Sequence, residues 1–260
     1  MAIEGLFLWI QPFYYVFLRN IFMRIAKWLS LQGQCSRREA ERLIEQGCVK
    51  VNDTLISHPA TFITDTDQVK INDTLVGRKE KVRLWVFHKP KGLITTHKDP
   101  QKRPTVFDKL PDCVEGRVVS VGRLDLNSEG LLLLTNHAPL AHYFEQPKNQ
   151  VERVYRVRIH GHGWGPDYIK QLAAGIKVDG VHYAPITVVT EKTNRHNHWI
   201  KMTLHEGKNR EIRRIFEHFG FKVDRLIRVS YGPFALDELK TGEAKEAPYK
   251  LFKPFVAEKS

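Results

Sequence analysis

Val121-Gly122-Arg123-Leu124-Asp125-Leu126-Asn127-Ser128-Glu129-Gly130-Leu131-Leu132-Leu133-Leu134-Thr135 sets the plan of the larger part of this chain. Val118–Val121 reads as a short apolar strand that breaks at Gly122. A polar loop follows, and Leu131–Thr135 reads as a strand returning to the core. Asp125 stands inside that loop. Held between two buried strands, a lone carboxylate is rigidly placed; taken by itself, it reads first as the residue type that closes an Asx turn.

Further out, Leu84–His88, Val154–Ile159, Trp199–Leu204 and Arg225–Tyr231 read as strands. Helices are expected in the Leu140 region, over Pro166–Ala174 and over Arg210–Phe219. Regular strand–helix alternation of the doubly wound kind is scarce, so an α+β fold with a mixed, mainly antiparallel sheet is predicted. On Val154–Ile159, Tyr155, Val157 and Ile159 share one face, while Val154, Arg156 and Arg158 share the other. In the last helix Ile212, Ile215, Phe216 and Phe219 form one stripe. Arg213 borders it, and Arg210 and Arg214 point away, which leaves Arg213 as the arginine able to reach inward.

Towards the N-terminus the pattern changes. A short amphipathic helix is expected from Met23 to near Gly33. Ser36-Arg37-Arg38-Glu39 then forms a capping box, and Ala40, Leu43 and Ile44 recur at helical spacing before Gly47. Arg37, Arg38 and Arg42 fall on the solvent side, as phosphate contacts or as a solvated face. Val49–Ile56 and Val69–Val76 are near-identical strand–turn–strand units, each turning at Asn-Asp. The basic run Gly77-Arg78-Lys79-Glu80-Lys81 closes this module.

Lys and Arg total 41 against 29 Asp and Glu, a net charge of +12 that favours a polyanionic partner. An anionic membrane would attract the same charge. Cys35, Cys48 and Cys113 leave an odd thiol and no CxxC pair, which excludes a disulfide framework and points to a reduced, cytoplasmic setting. His205-Glu206 begins like a zinc-protease helix, but Asn209 stands where the second His would be. No metal site is expected. Residues 1–22, MAIEGLFLWIQPFYYVFLRNIF, are apolar and aromatic, with Glu4 and Arg19 their only charges. They lack a basic start and a small-residue cleavage site, and Pro12 interrupts them as a membrane span. Translation from Met23 is the expectation, with a membrane tether as the alternative.

SRREAERLIEQGCVKVN closely resembles the S-four-type RNA-binding domain of ribosomal proteins. GRLDLNSEGLLLLTN, ERVYRVRI and EGKNREIRRIF, with HKPKGLITTHKDPQKRPTVFDKLP, resemble the RNA pseudouridine synthases, in the ribosomal RNA branch that carries an S-four-type domain. The likeness covers Met23 to about Phe255. It implies three segments: an extension over 1–22 that is not native or not structured, an RNA-binding domain over 23–82 and a synthase domain over 83–255. It also implies a cofactor-free isomerase of ribosomal RNA, most like the large-subunit type B enzymes, acting as a cytoplasmic monomer on rRNA or a pre-ribosomal particle.

By the same resemblance, Asp125 is the catalytic carboxylate, Tyr155 stacks on the target uracil, and Arg213 is the ion-pair partner of Asp125. Leu226 closes the uracil pocket, although a plain core leucine fits that position too. Arg123 contacts phosphate or is structural. Lys208, Arg210 and Arg214 contact the RNA backbone or form a solvated face. The rival readings are a small-subunit rRNA or transfer RNA synthase, and a non-catalytic ribosome-assembly factor.

Overall fold

In the computed structural model, Ser36 and Glu39 form the reciprocal pair of hydrogen bonds that makes a capping box, at 3.2 and 3.3 Å. The structure describes residues 23–64, 66–77 and 81–257. The apolar segment 1–22 and linker residues 78–80 lie outside the described residues. The chain divides into two units, one ending at Val82 and the other running Arg83–Ala257.

The first unit contains β1 (Met23–Arg24), α1 (Ile25–Leu31), α2 (Arg37–Glu45), β2 (Val49–Val51), β3 (Thr54–Leu55), β4 (Phe62–Ile63), β5 (Val69–Ile71) and β6 (Thr74–Leu75). The helix expected from Met23 starts at Ile25, because Met23 and Arg24 pair with Ile63 and Phe62. β2 and β5 are central in a sheet of order β3-β2-β5-β6. Asn52, Asp53, Asn72 and Asp73 all have positive φ, the conformation that two-residue hairpin turns require and that Asn and Asp tolerate. The two hairpins are also cross-linked reciprocally, Lys50 to Asp73 and Lys70 to Asp53, each at 2.6 Å. Ile25, Leu29, Ala40, Ile44, Val49 and Val69 form the core beneath. Arg37, Arg38 and Arg42 remain exposed on α2.

The second unit contains β7 (Leu84–Lys89), β8 (Val119–Val121), β9 (Glu129–Thr135), α3 (Ala138–Glu145), β10 (Arg153–His160), α4 (Pro166–Ala174), β11 (Ile176–Val178), β12 (Val181–Tyr183), β13 (Thr187–Thr193), β14 (Asn197–Leu204), α5 (Glu211–His218), β15 (Lys222–Tyr231), β16 (Phe234–Ala235), β17 (Ala244–Glu246) and α6 (Tyr249–Ala257). Its main sheet has the order β13-β14-β10-β15-β9-β7-β17, with β8 beside β9 and β16 beside β15. Among the described residues, every strand pair in it is antiparallel except β9–β15. The fold is α+β, as the sequence predicts.

β9 pairs with β7, β8 and β15, so all seven of its residues are buried, which explains the unbroken leucine run. The parallel meeting of β9 and β15 depends on Gly130, whose φ is +105°. A Cβ there would lie 2.3 Å from the carbonyl oxygen of Arg228. Two cores flank the sheet. Val157, Ile159, Ile200 and Met202 pack with Ile212, Ile215 and Phe216 of α5, while Trp85, Phe87, Leu132 and Leu134 pack with Val106 and Leu124. Tyr155 touches both cores and so sits at their junction.

β11 to β13, β16, β17 and α6 are additions to the sequence reading. β11 and β12 are a hairpin of three-residue strands, too short for periodicity to register, and α6 contains Pro254, normally a stop signal. Among the described residues no helix is long and apolar enough to cross a membrane.

Candidate active site

Between β8 and β9, the backbone carbonyls from Leu124 to Ser128 all accept hydrogen bonds. Thr95 Oγ1 donates to Leu124 at 2.9 Å, and the Gly92 N–H donates to Leu126 at 2.8 Å. Lys89 Nζ donates to Asp125 at 3.2 Å and to Ser128 at 2.9 Å. Arg213 Nη2 donates to Asn127 at 2.8 Å. The Ser128 N–H closes the turn onto the Asp125 carbonyl at 3.0 Å, and Glu145 accepts from the Gly122 N–H at 2.7 Å. A loop anchored at each carbonyl cannot drift, so the Asp125 side chain is presented in a fixed place. No hydrogen bond restrains the carboxylate itself among the described residues.

The carboxylate opens into a cleft of about 660 Å³. Arg123 and Asp125 line it from the loop, Tyr155 from β10, Leu226 and Arg228 from β15, Lys208 and Arg210 from the turn after β14, and Glu211 and Arg213 from α5. Leu226 is buried in the wall, Arg123 is exposed at the mouth, and Tyr155 is half-buried. Arg214 is exposed on the outer side of α5, away from these residues.

The cations are arranged differently from the sequence expectation. Asp125 lies closest to Arg210, whose Nη1 is 3.9 Å from Oδ2, and its side chain is 34% exposed rather than buried. Arg213 does reach inward, but its guanidinium donates to the carbonyls of Asn127 and Val223, at 2.8 and 3.1 Å. It acts on Asp125 across space, not as a contact ion pair. Burial, followed by repulsion from Arg210, holds Arg213 below the usual arginine range, and Asp125 offsets part of this. The physical reason for the difference is local. The helix begins at Glu211, and Arg210 has left-handed φ and ψ of 51° and 30° before it, so helical phase does not govern its direction. Lys208 is likewise engaged within the protein, 2.7 Å from Glu206 and over the Tyr183 ring.

Lys89, Thr95, Arg153 and Arg228 belong to the site but carried no separate signal in the sequence. Lys89 is fully buried at the end of β7, and burial lowers its pKa to about 8 against the opposing pull of Asp125 and Glu129. A lysine closing the apolar run Leu84–His88 was the available hint. Arg153 and Arg228 are also buried; Arg153 donates to Phe144, His205 and the Tyr231 hydroxyl, and Arg228 to Leu131. Both guanidiniums lie 4.8 Å from the centre of the Tyr231 ring. Among the described residues no cluster of His, Cys, Asp and Glu has the makings of a metal site.

Residues 83–218, which contain this loop and most of the cleft, match the model of the RNA pseudouridylate synthases. The chain belongs to that family. Residues 23–69 match the S4 domain, so the synthase carries a separate RNA-binding module. It is similar to an RNA pseudouridine synthase of Rickettsia felis, 49% identical over 228 residues that span 88% of this chain and 98% of the relative. Ribosomal large subunit pseudouridine synthase B of Yersinia pestis is 39% identical over 218 residues, 82% of this chain and 68% of the relative. A crystal structure of a pseudouridylate synthase superposes with a TM-score of 0.63 at 26% identity, over 90% of this chain and 99% of that one. This pseudouridine synthase is therefore an isomerase that acts on RNA, as its motifs imply.

Proposed function

We propose that this synthase converts one uridine of large-subunit ribosomal RNA to pseudouridine, with Asp125 as the carboxylate that acts at the sugar. The observation that carries the chemistry is the anchored loop, which holds an unrestrained carboxylate at the cleft beside Tyr155 and Leu226. The likeness to the Yersinia pestis large-subunit enzyme supports the choice of RNA.

A uridine enters such a cleft only when its base is turned out of the helix, and the exposed face of Tyr155 offers the base a stacking platform. Leu226 closes the apolar side. The carboxylate assists as the bond between ribose C1′ and N1 breaks, the uracil turns, and C1′ bonds to C5. The C5 proton is then lost, N1 gains one, and no redox partner is needed. Arg210 and Arg213 place positive charge beside the carboxylate and oppose the negative charge of the RNA backbone. Arg123 and Arg214 contact phosphates, and Arg37, Arg38 and Arg42 add affinity from the S4 domain. The enzyme works as a monomer without a cofactor.

Pseudouridine mapping in ribosomal RNA from cells with and without the gene tests this reading. Loss of one modification in the large subunit supports it. Loss confined to small-subunit or transfer RNA overturns the substrate, and an unchanged map overturns the rRNA assignment.

A further inference from the structure

Glu211 is the first residue of α5 and only 4% exposed, yet its Oε1 has no hydrogen-bond donor. Its Oε2 accepts from the Lys208 N–H at 3.0 Å. The Glu206 carboxyl stands within hydrogen-bonding reach of the Glu211 carboxyl. Glu206 already has donors on both oxygens, the Ala184 N–H at 2.8 Å and Lys208 Nζ at 2.7 Å. A buried carboxylate oxygen that meets a second carboxylate must carry a proton or be pushed away.

We propose that Glu206 and Glu211 share a single proton, and that this proton staples the two ends of the Gly207–Arg210 turn so that Arg210 faces Asp125. Glu206 follows β14 and Glu211 opens α5, so the pair closes the turn at its base. Lys208 folds back between them, with its Nζ also donating to the His182 carbonyl. Arg210, at the far side, keeps its left-handed backbone and lies 3.9 Å from Asp125. Glu206 and Glu211 are positioning residues here. The inference rests on the assigned role of Asp125 and adds the element that holds the turn opposite it.

The surroundings agree on where the proton resides. Burial, then the Glu206 charge, raises Glu211 to about 7, whereas Glu206 is held below the ordinary glutamate range by Lys208 and the Ala184 N–H against the cost of burial. Lys208 is the cation opposing the rise. α5 packs against β10, β11, β14 and β15, and of their charged residues Arg153 and Arg228 line the same cleft as the pair, Arg153 beside Gly207. When the proton leaves, two negative charges share one buried position with one lysine, and the turn opens. Arg210 then moves from Asp125.

The test is the pH dependence of tritium release from C5-labelled uridine in rRNA, for the wild type and for Glu211→Gln. The amide supplies a permanent N–H to Glu206. Between about pH 6 and about pH 8, wild-type kcat should fall about twentyfold, about tenfold from the shared proton and about twofold from Lys89, and that of the variant only about twofold, the share left to Lys89. Superposed profiles would overturn the proposal. A substrate-free measurement, the carbon-13 titration of the Glu211 carboxyl, should show a midpoint near 7. A midpoint in the ordinary carboxylate range would equally overturn it. Should the wild type release no tritium from rRNA while that midpoint stands, the substrate assignment fails and the shared proton does not.

Discussion

The Lys89 ammonium, fully buried, lies 3.2 Å from the backbone carbonyl oxygen of Asp125. It also donates to Pro90 and Ser128, both at 2.9 Å, so one buried cation neutralises three carbonyls. This contact joins β7 to the loop that presents the candidate carboxylate. Lys89→Met keeps the length of the side chain and removes the donors. Stability should fall by about 2–4 kcal/mol, because carbonyls are left buried without partners. Thermal melts and tritium release measure both consequences, and kcat should fall more than KM rises. A variant with unchanged kcat would show that the anchored loop is not needed.

Asp125→Asn should abolish isomerisation while preserving fold and RNA affinity. The two side chains are nearly isosteric, and the loop is held by its carbonyls rather than by the carboxylate. What disappears is the negative charge and its nucleophilicity. If Asp125 were a turn residue only, Asn would serve as well and tritium release would persist.

Arg210, Arg213 and Arg214 should separate into three phenotypes. Arg210→Ala removes an exposed cation beside Asp125, so kcat should drop about tenfold with the melting temperature kept. Arg213→Ala strips donors from Asn127 and Val223, and should also cost about 1–3 kcal/mol of stability. Arg214→Ala should leave kcat alone and lower the salt slope of RNA binding by about one unit, as one phosphate is no longer neutralised. Equal kinetic damage from Arg210→Ala and Arg214→Ala would contradict the geometry of the turn before α5.

The exposed arginines of α2 make a separate prediction. Arg37→Ala, Arg38→Ala and Arg42→Ala should each weaken rRNA binding, and each should flatten the salt slope by about one unit, the share of a single phosphate. Melting temperature should not change, since none of these side chains is buried. Filter-binding at several salt concentrations checks this, and an unaltered slope would make the face merely solvated.

The Gly122 break, the leucine run, the Ser36–Glu39 box and the twin Asn-Asp turns were legible in the sequence because each depends on neighbours within a few residues. Apolar alternation, helix caps and left-handed turns are local physics, and three separated motifs in order were enough to indicate the family and the α+β class. The phase of α5 correctly separated Arg213 from Arg214. It failed at Arg210, since periodicity holds only inside a helix and that residue precedes it in a left-handed conformation. Which cation meets Asp125 was decided by tertiary structure, because the carbonyls of Asn127 and Val223 compete for Arg213 and leave the contact to Arg210. Lys89 beneath the loop and Glu206 against Glu211 were beyond sequence reading for the same reason. A lysine at the end of a strand or a glutamate at the start of a helix looks solvated until the fold buries it, and burial is what makes its proton matter.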